Sequence, residues 1–268
     1  MTKLEWDADG TRIYEGGVSR GVLYLEDGSG VPWNGLIGVN EKVEGESTTP
    51  LFRDGAKVMD VTERGDYSAT LTVFTYPDEF MEYDGYHSLG GGLYAKNQQP
   101  KQFGLSYRTE VGDDLEGLGS GYKIHVVWNI TAEQSAVTYT TLGASVDPID
   151  FVWELGATPE YIPGYKATAH LVIDSRRIEP YLLVDLEDVL YGTDATPSRL
   201  PRLAELQTFV TEWELITITL GPDGSVTFTG PEELLTMVSD EEFQIDSIFG
   251  EYSDAYNYTV STTTAMEV

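Results

Sequence analysis

The chain has no cysteine and little positive charge, with 16 Lys and Arg against 45 Asp and Glu, a formal net charge of −29. Without cysteine there can be no disulfide, no thiolate metal site and no thiol nucleophile. The shortage of cations argues against a protein that grips nucleic acid on a basic face, because phosphates must be neutralised to be held. No apolar run approaches the ~20 residues of a membrane-spanning helix, and Met1–Gly10 is too polar and acidic for a secretory signal. A soluble protein made in a cytoplasm, without membrane contact, is expected. Histidine is also scarce: His87, His125 and His170 are far apart and share no ligand spacing, so no metal or cofactor is expected. No phosphate-cradling glycine loop follows a strand, and the search for catalytic residues ends with none.

What is abundant points to strands. Twenty-eight Gly, seventeen Tyr and frequent Thr and Val favour extended chain and turns. Tyr67, Ala69, Leu71, Val73 and Thr75 alternate with Asp66, Ser68, Thr70 and Thr72, the pattern of a half-buried strand. Phe103, Leu105 and Tyr107 alternate with Ser106 and Arg108. Tyr122, Ile124, Val126, Trp128 and Ile130 alternate with Lys123, His125 and Asn129, and Phe151, Trp153 and Leu155 with Asp150 and Glu154. Ile216, Ile218 and Leu220, the turn Gly221-Pro-Asp-Gly224, then Val226 and Phe228 predict a hairpin. A last strand is predicted from Tyr256 to Thr262. One wet side per strand implies mostly antiparallel sheets.

Helical spacing is confined to the C-terminal half. Pro180–Tyr191 carries Leu182, Leu183, Leu186, Val189 and Leu190, with Pro at the start and Gly192 past the end. Pro201–Phe209 and Pro231–Val238 predict two shorter helices. Residues 1–19 predict an extended arm, and residues 77–102 a long loop whose aromatics fold onto its own sheet or onto a neighbour. The whole of 1–268 is expected to form one domain, mainly β, an antiparallel sandwich or barrel with a few short flanking helices, including a helical segment over 179–209.

The remaining constellations have plain explanations. Adjacent acids such as Asp78/Glu79 and Glu187/Asp188 point to opposite faces in a strand, so adjacency does not make a shared site. Asp7-x-Asp9-Gly10 starts like a calcium loop, but its glycine comes too early and the later ligands are missing. Arg108, Lys123 and His125 form a locally basic face, either a seat for acidic neighbours or ordinary cross-strand pairing. From Leu203 onward there are thirteen acids and no Lys or Arg. Five tryptophans leave a carbohydrate-binding sandwich as an alternative, and the acids leave an acidic glycoside hydrolase as a second.

One series of segments is more specific by its order. Tyr14-Glu-Gly-Gly-Val-Ser-Arg-Gly-Val-Leu-Tyr24 and Val31-Pro-Trp-Asn-Gly35 are followed by Thr75-Tyr-Pro-Asp-Glu-Phe80 with Asp84-Gly85, and by Phe103-Gly-Leu-Ser-Tyr-Arg-Thr109. Gly121-Tyr-Lys-Ile-His125, Phe151-Val-Trp-Glu154 and Leu190-Tyr-Gly-Thr-Asp-Ala-Thr-Pro197 complete it. From about Tyr14 to Leu206 the chain resembles the major tail protein, or tail tube protein, of long-tailed phages of actinobacterial hosts.

The resemblance implies a non-enzymatic β-sandwich subunit of the virion tail, assembled in the host cytoplasm. It implies six-membered rings stacked into a tube, capped by terminator and baseplate proteins and built around a tape-measure protein. Double-stranded DNA would pass through without specific binding. On that basis Glu44, Asp60, Asp66, Ser68, Thr70 and Thr72 are candidate lumen residues. Arg12, Tyr14, Arg20, Phe52, Arg53, Phe80, Tyr83, Tyr86, Arg108 and Lys123 are candidate inter-subunit contacts, with residues 43–53 and 77–102 as ring-to-ring segments.

Overall fold

The computed structural model describes residues 6–7, 9–44, 48–62, 66–115, 117–139, 141, 148–162, 164–207, 217–220, 226–229, 235–239, 242–245 and 256–259. The chain forms two compact units, Met1–Ile178 and Glu179–Val268. The first unit contains β1 (Tyr14–Tyr24), β2 (Gly30–Trp33), β3 (Leu36–Glu44), β4 (Thr48–Arg53), β5 (Ala56–Thr62) and β6 (Asp66–Val73). A 3₁₀ turn (Asp78–Glu82) and the short strands β7 (His87–Gly90) and β8 (Leu93–Ala95) lead into β9 (Phe103–Asp113) and β10 (Gly117–Gln134), then β11 (Phe151–Ala157) and β12 (His170–Asp174). The fold is mainly antiparallel β, as the alternating segments predict.

One sheet runs β2-β1-β9-β10-β11-β6-β3, with β12 also paired to β10. Its two end strands are consecutive in the chain, joined only by Asn34 and Gly35. Laid flat, six inter-strand spacings would hold those ends about 29 Å apart. Three residue steps reach at most about 11 Å. The sheet must therefore roll up until β3 meets β1. Gly21 of β1 marks the meeting: a side chain there would strike the Leu36 side chain of β3 at 2.5 Å. At the link, Gly35 has φ +84, and its carbonyl accepts the Phe74 N–H at 3.0 Å.

Inside the roll lies an aromatic core. Phe80 is fully buried, with its ring 4.5 Å from Trp33, 5.0 Å from Trp153 and 5.4 Å from Phe103. Leu71, Leu105, Val127, Ile130 and Leu155 complete it. The stretch expected to be a long loop is thus ordered by its own aromatics: the 3₁₀ turn delivers Phe80 to the core and Tyr83 stacks beside it. Burying each such ring contributes about 1.5–3 kcal/mol.

Strand β10 departs from the simple alternation of its sequence. Asn129 has φ +52, and the register to β9 slips between Val127 and Ile130. This bulge changes which residues face inward. Before it, Val127 joins the core, and after it Ile130 and Ala132 do. Ile124, Val126 and Trp128 are buried too, but outside that core cluster. His125, expected on a wet face, is 8% exposed and stacks on Tyr107 at 4.7 Å. Strands β9 and β10 run up to a short turn between Asp113 and Gly117. The arm expected over 1–19 becomes strand from Tyr14.

In the second unit α1 spans Pro180–Tyr191 as its spacing predicts, with Pro at the first turn and Gly192 at the C-cap (φ +80). A side chain at Gly192 would meet the Ser198 backbone N at 2.7 Å. Of the second predicted helix, residues 203–207 are helical, Pro201 and Arg202 precede it as irregular chain, and residues 208–209 lie outside the described residues. β13 (Thr217–Leu220) and β14 (Val226–Thr229) pair as the expected hairpin, whose turn is outside the described residues. β15 (Leu235–Ser239), β16 (Glu242–Ile245) and β17 (Tyr256–Thr259) form a three-stranded sheet. A helix over Pro231–Val238 is therefore corrected to a strand from Leu235. Its leucine and valine spacing suits either state, and pairing of Leu235 with Ile245 and Met237 with Phe243 decides it.

Candidate functional site

The candidate residues divide among three places. The first is the face of the rolled sheet opposite the core. Lys42 of β3 pairs with Ser68 of β6, and Thr70 lies between Asn40 and Glu154 in register. The Thr70 hydroxyl donates to Glu154 Oε1 at 3.0 Å, and Lys42 Nζ stands 3.6 Å from Glu154 Oε2. Lys42, Ser68, Thr131, Glu133 and Glu154 line a shallow depression there. Ser68 is nearly buried, while Thr70 and Thr72 are half-exposed. Glu44 and Asp66 are register partners at the ends of β3 and β6, and their side chains lie outside the described residues. Asp60 belongs elsewhere, on β5, where Lys57 pairs with it at 2.7 Å.

The second place is the β4–β5 ribbon, which among the described residues pairs with no other strand. Leu51, Phe52, Val58 and Met59 are each more than half exposed on it, and Arg53 extends into solvent 3.9 Å from Asp54. The β7–β8 hairpin likewise exposes Leu89, Leu93 and Tyr94, and Ile13 and Tyr14 are exposed at the start of β1. Two-stranded ribbons are marginal alone, and clustered exposed apolar side chains mark contact surfaces.

Several expected contact residues are used within the unit. Phe80 and Tyr83 are core residues, so their place as surface contacts is corrected by burial; the Tyr83 hydroxyl accepts the Glu26 N–H at 2.9 Å. Tyr86 is half-exposed and carries Lys96 over its ring at 4.6 Å. Arg12 bridges to Asp114 at 3.0 Å, and Gly10 N–H donates to the same carboxylate, tying down the turn that starts like a calcium loop. Arg20 sits at a bulge of β1 with φ +48. Arg108 stacks on Tyr122 at 3.3 Å and lies 3.2 Å from Glu110. The locally basic face is thus cross-strand pairing within the unit.

The third place is a polar chain carried by β1, β3, β9, β10 and β12. Lys123 is ion-paired to Glu15, and the Thr109 hydroxyl donates to Glu15 Oε1 at 2.6 Å. Thr109 Oγ1 lies 3.2 Å from His125 Nε2. On the other side of that ring, Nδ1 faces His170 Nε2 at 3.1 Å and Glu41 Oε1 at 3.3 Å. Tyr107 donates its hydroxyl to Glu41. Burial works to raise both carboxyls, yet Lys123 and Thr109 hold Glu15 below its usual value, and His125 and His170 do the same for Glu41. Burial lowers His170. Glu41, His125 and His170 are the group among the described residues whose donor atoms converge closely enough to hold a metal ion. Sequence reasoning missed it because the three stand on β3, β10 and β12: pairing of β10 with β12 brings the two histidines together, and the roll brings Glu41 to them.

Two other readings of the sequence find no geometry among the described residues. Gly17-Val-Ser-Arg-Gly21 spells the pattern of a hydrolase nucleophile elbow, but Ser19 lies inside β1 opposite Arg108, with no following helix. Trp33, Trp128 and Trp153 are buried, so none of them offers a stacking platform to a sugar.

No family model matches the chain, and no curated protein matches it. Among solved structures it is similar to a chain of the PVC extracellular contractile injection system sheath-tube complex in the extended state, at 15% identity and TM-score 0.32, covering 58% of this chain and 88% of that one. A chain of the six-fold symmetrised anti-feeding prophage baseplate gives 10% identity and TM-score 0.30, over 63% and 97% of the two chains. A chain of the anti-feeding prophage tube-terminating cap gives 13% and 0.31, over 65% and 95%.

Proposed function

We propose that the chain is a structural subunit of a phage-type tail tube: copies join side by side into six-membered rings, rings stack, and DNA passes through the channel. The observation that carries this is the β4–β5 ribbon, whose Leu51, Phe52, Val58 and Met59 stand in solvent and which, among the described residues, pairs with no further strand. A second copy supplies the missing cover, and ring closure also removes the open sheet edges that a lone subunit leaves exposed. The sequence resemblance supports the same reading.

In this assembly the face bearing Ser68, Thr70, Thr72 and Glu154 lines the channel. Hydroxyls and carboxylates with one balancing lysine offer phosphates nothing to hold, and an acidic wall keeps the duplex from adhering. Screening over about 8 Å limits that repulsion to acids on the channel surface itself. Terminator, baseplate and tape-measure proteins are the partners at the ends and centre. No catalysis is involved.

Electron microscopy of the purified full chain at high concentration tests the proposal. Rings or tubes of uniform diameter are expected, and a Leu51→Asp/Phe52→Asp variant should remain monomeric with unchanged circular dichroism. A wild-type chain that stays monomeric at every concentration overturns it.

A further inference from the structure

We infer that Glu41, His125 and His170 form a binding site for a single divalent transition-metal ion, with zinc the best fit. His125 Nδ1, His170 Nε2 and Glu41 Oε1 are separated by 3.1, 3.3 and 3.7 Å. A tetrahedral zinc ion with bonds of about 2.0–2.1 Å sets its ligands about 3.3–3.4 Å apart. The three atoms therefore occupy one face of such a tetrahedron, and the fourth position is left for water.

Without an ion, the His170 Nε2–H can donate to His125 Nδ1 at 3.1 Å, and a bound ion takes the place of that proton. The single Thr109 hydroxyl proton is directed to Glu15, so toward His125 Nε2 that oxygen accepts, and Nε2 carries the ring proton. In the neutral ring Nδ1 is then a bare lone pair, and an imidazole nitrogen has only one in-plane site. It faces a second imidazole nitrogen and a carboxylate oxygen at once. A cation placed among the three replaces the proton shared by the two rings and adds the Glu41 carboxylate as a third bond.

The surroundings match a metal centre. His125 is oriented through Thr109 by the Glu15 carboxylate, itself paired with Lys123, and Glu41 is held by the Tyr107 hydroxyl. Metal-binding histidines are set in this way by an outer carboxylate that fixes the tautomer. Two imidazoles with one carboxylate suit zinc and its neighbours, whereas calcium and magnesium take oxygen shells. Such an ion would fasten β3, one free end of the sheet, to β10 and β12 within the first unit.

Isothermal titration of the chelator-treated full chain with Zn²⁺ alone tests the site. Saturable uptake of one ion per chain is expected. His170→Gln should weaken it by more than about 100-fold, Glu15→Gln by about 10-fold, and His87→Gln should leave it unchanged. Imidazole ¹⁵N spectra of the unaltered protein serve independently of any variant: Zn²⁺ should shift His125 Nδ1 and His170 Nε2 but not His87. No uptake, equal uptake by His170→Gln, or unmoved His125 and His170 resonances overturns the proposal. These outcomes do not depend on tube assembly.

Discussion

Trp153 donates its indole N–H to Asp84 Oδ1 at 2.7 Å, joining the central tryptophan of the sheet to the segment after the 3₁₀ turn. Burial holds the Asp84 carboxyl above its usual value, against the opposing pull of that bond. The folded state therefore keeps this proton more tightly than the unfolded chain. Asp84's contribution to stability is greatest at low pH and falls as pH rises from about 3.9 through the raised value. Asp84→Ala strands the indole N–H and should cost about 1–3 kcal/mol at pH 7 in urea unfolding. Asp84→Asn keeps an acceptor without a charge to bury, and should cost less.

Phe80 separates core from contact surface. Enclosed by Trp33, Trp153 and Phe103, it should lose about 3–5 kcal/mol as Phe80→Ala. The loss should appear in the denaturation of dilute, unassembled protein, where Phe52→Asp leaves the midpoint unmoved.

Gly35 and Gly28 make a matched pair, with φ +84 and +87. A β-carbon at Gly28 meets open space, whereas at Gly35 it lies 2.4 Å from Thr75 Cγ2 and 3.2 Å from the Thr75 backbone N. Gly28→Ala should cost about 1–2 kcal/mol for its left-handed backbone. Gly35→Ala should cost clearly more, read as a lower thermal midpoint.

Asp174 accepts the Arg176 side chain at 2.6 and 2.9 Å, and that bond, opposed by partial burial, pulls its carboxyl down to about 2. A depressed carboxyl stabilises the fold above the unfolded value of about 3.9, and that stability is lost as pH falls toward 2. Carboxyl carbon NMR should place the Asp174 midpoint near 2, and Arg176→Met should return it to the ordinary range.

The strands of the first unit were legible because one face of each meets a packed core: Ala69, Leu71 and Val73 are buried where alternation puts them. Helix α1 was legible from its proline, its leucines and Gly192. Alternation failed at Asn129, since a single residue with positive φ shifts the phase of everything after it. It also failed at His125, whose polar character suggested water while its ring lies against Tyr107. The long stretch after Pro77 read as loop because a 3₁₀ turn with one buried phenylalanine has no periodicity to detect. The convergence of Glu41 with His125 and His170 was beyond any local pattern, because residues 84 and 129 positions apart meet only through sheet curvature.

The two-residue connection between β2 and β3 gives the first unit the mechanics of a hoop. In an open sheet a load that spreads the end strands is carried by hydrogen bonds, the weakest links available. Here it falls first on the covalent backbone of Asn34 and Gly35, clasped by the Phe74 N–H and by the Trp33 indole on the Thr75 carbonyl at 3.1 Å. A cut at that one place would spare every strand pairing and still release the two ends of the sheet.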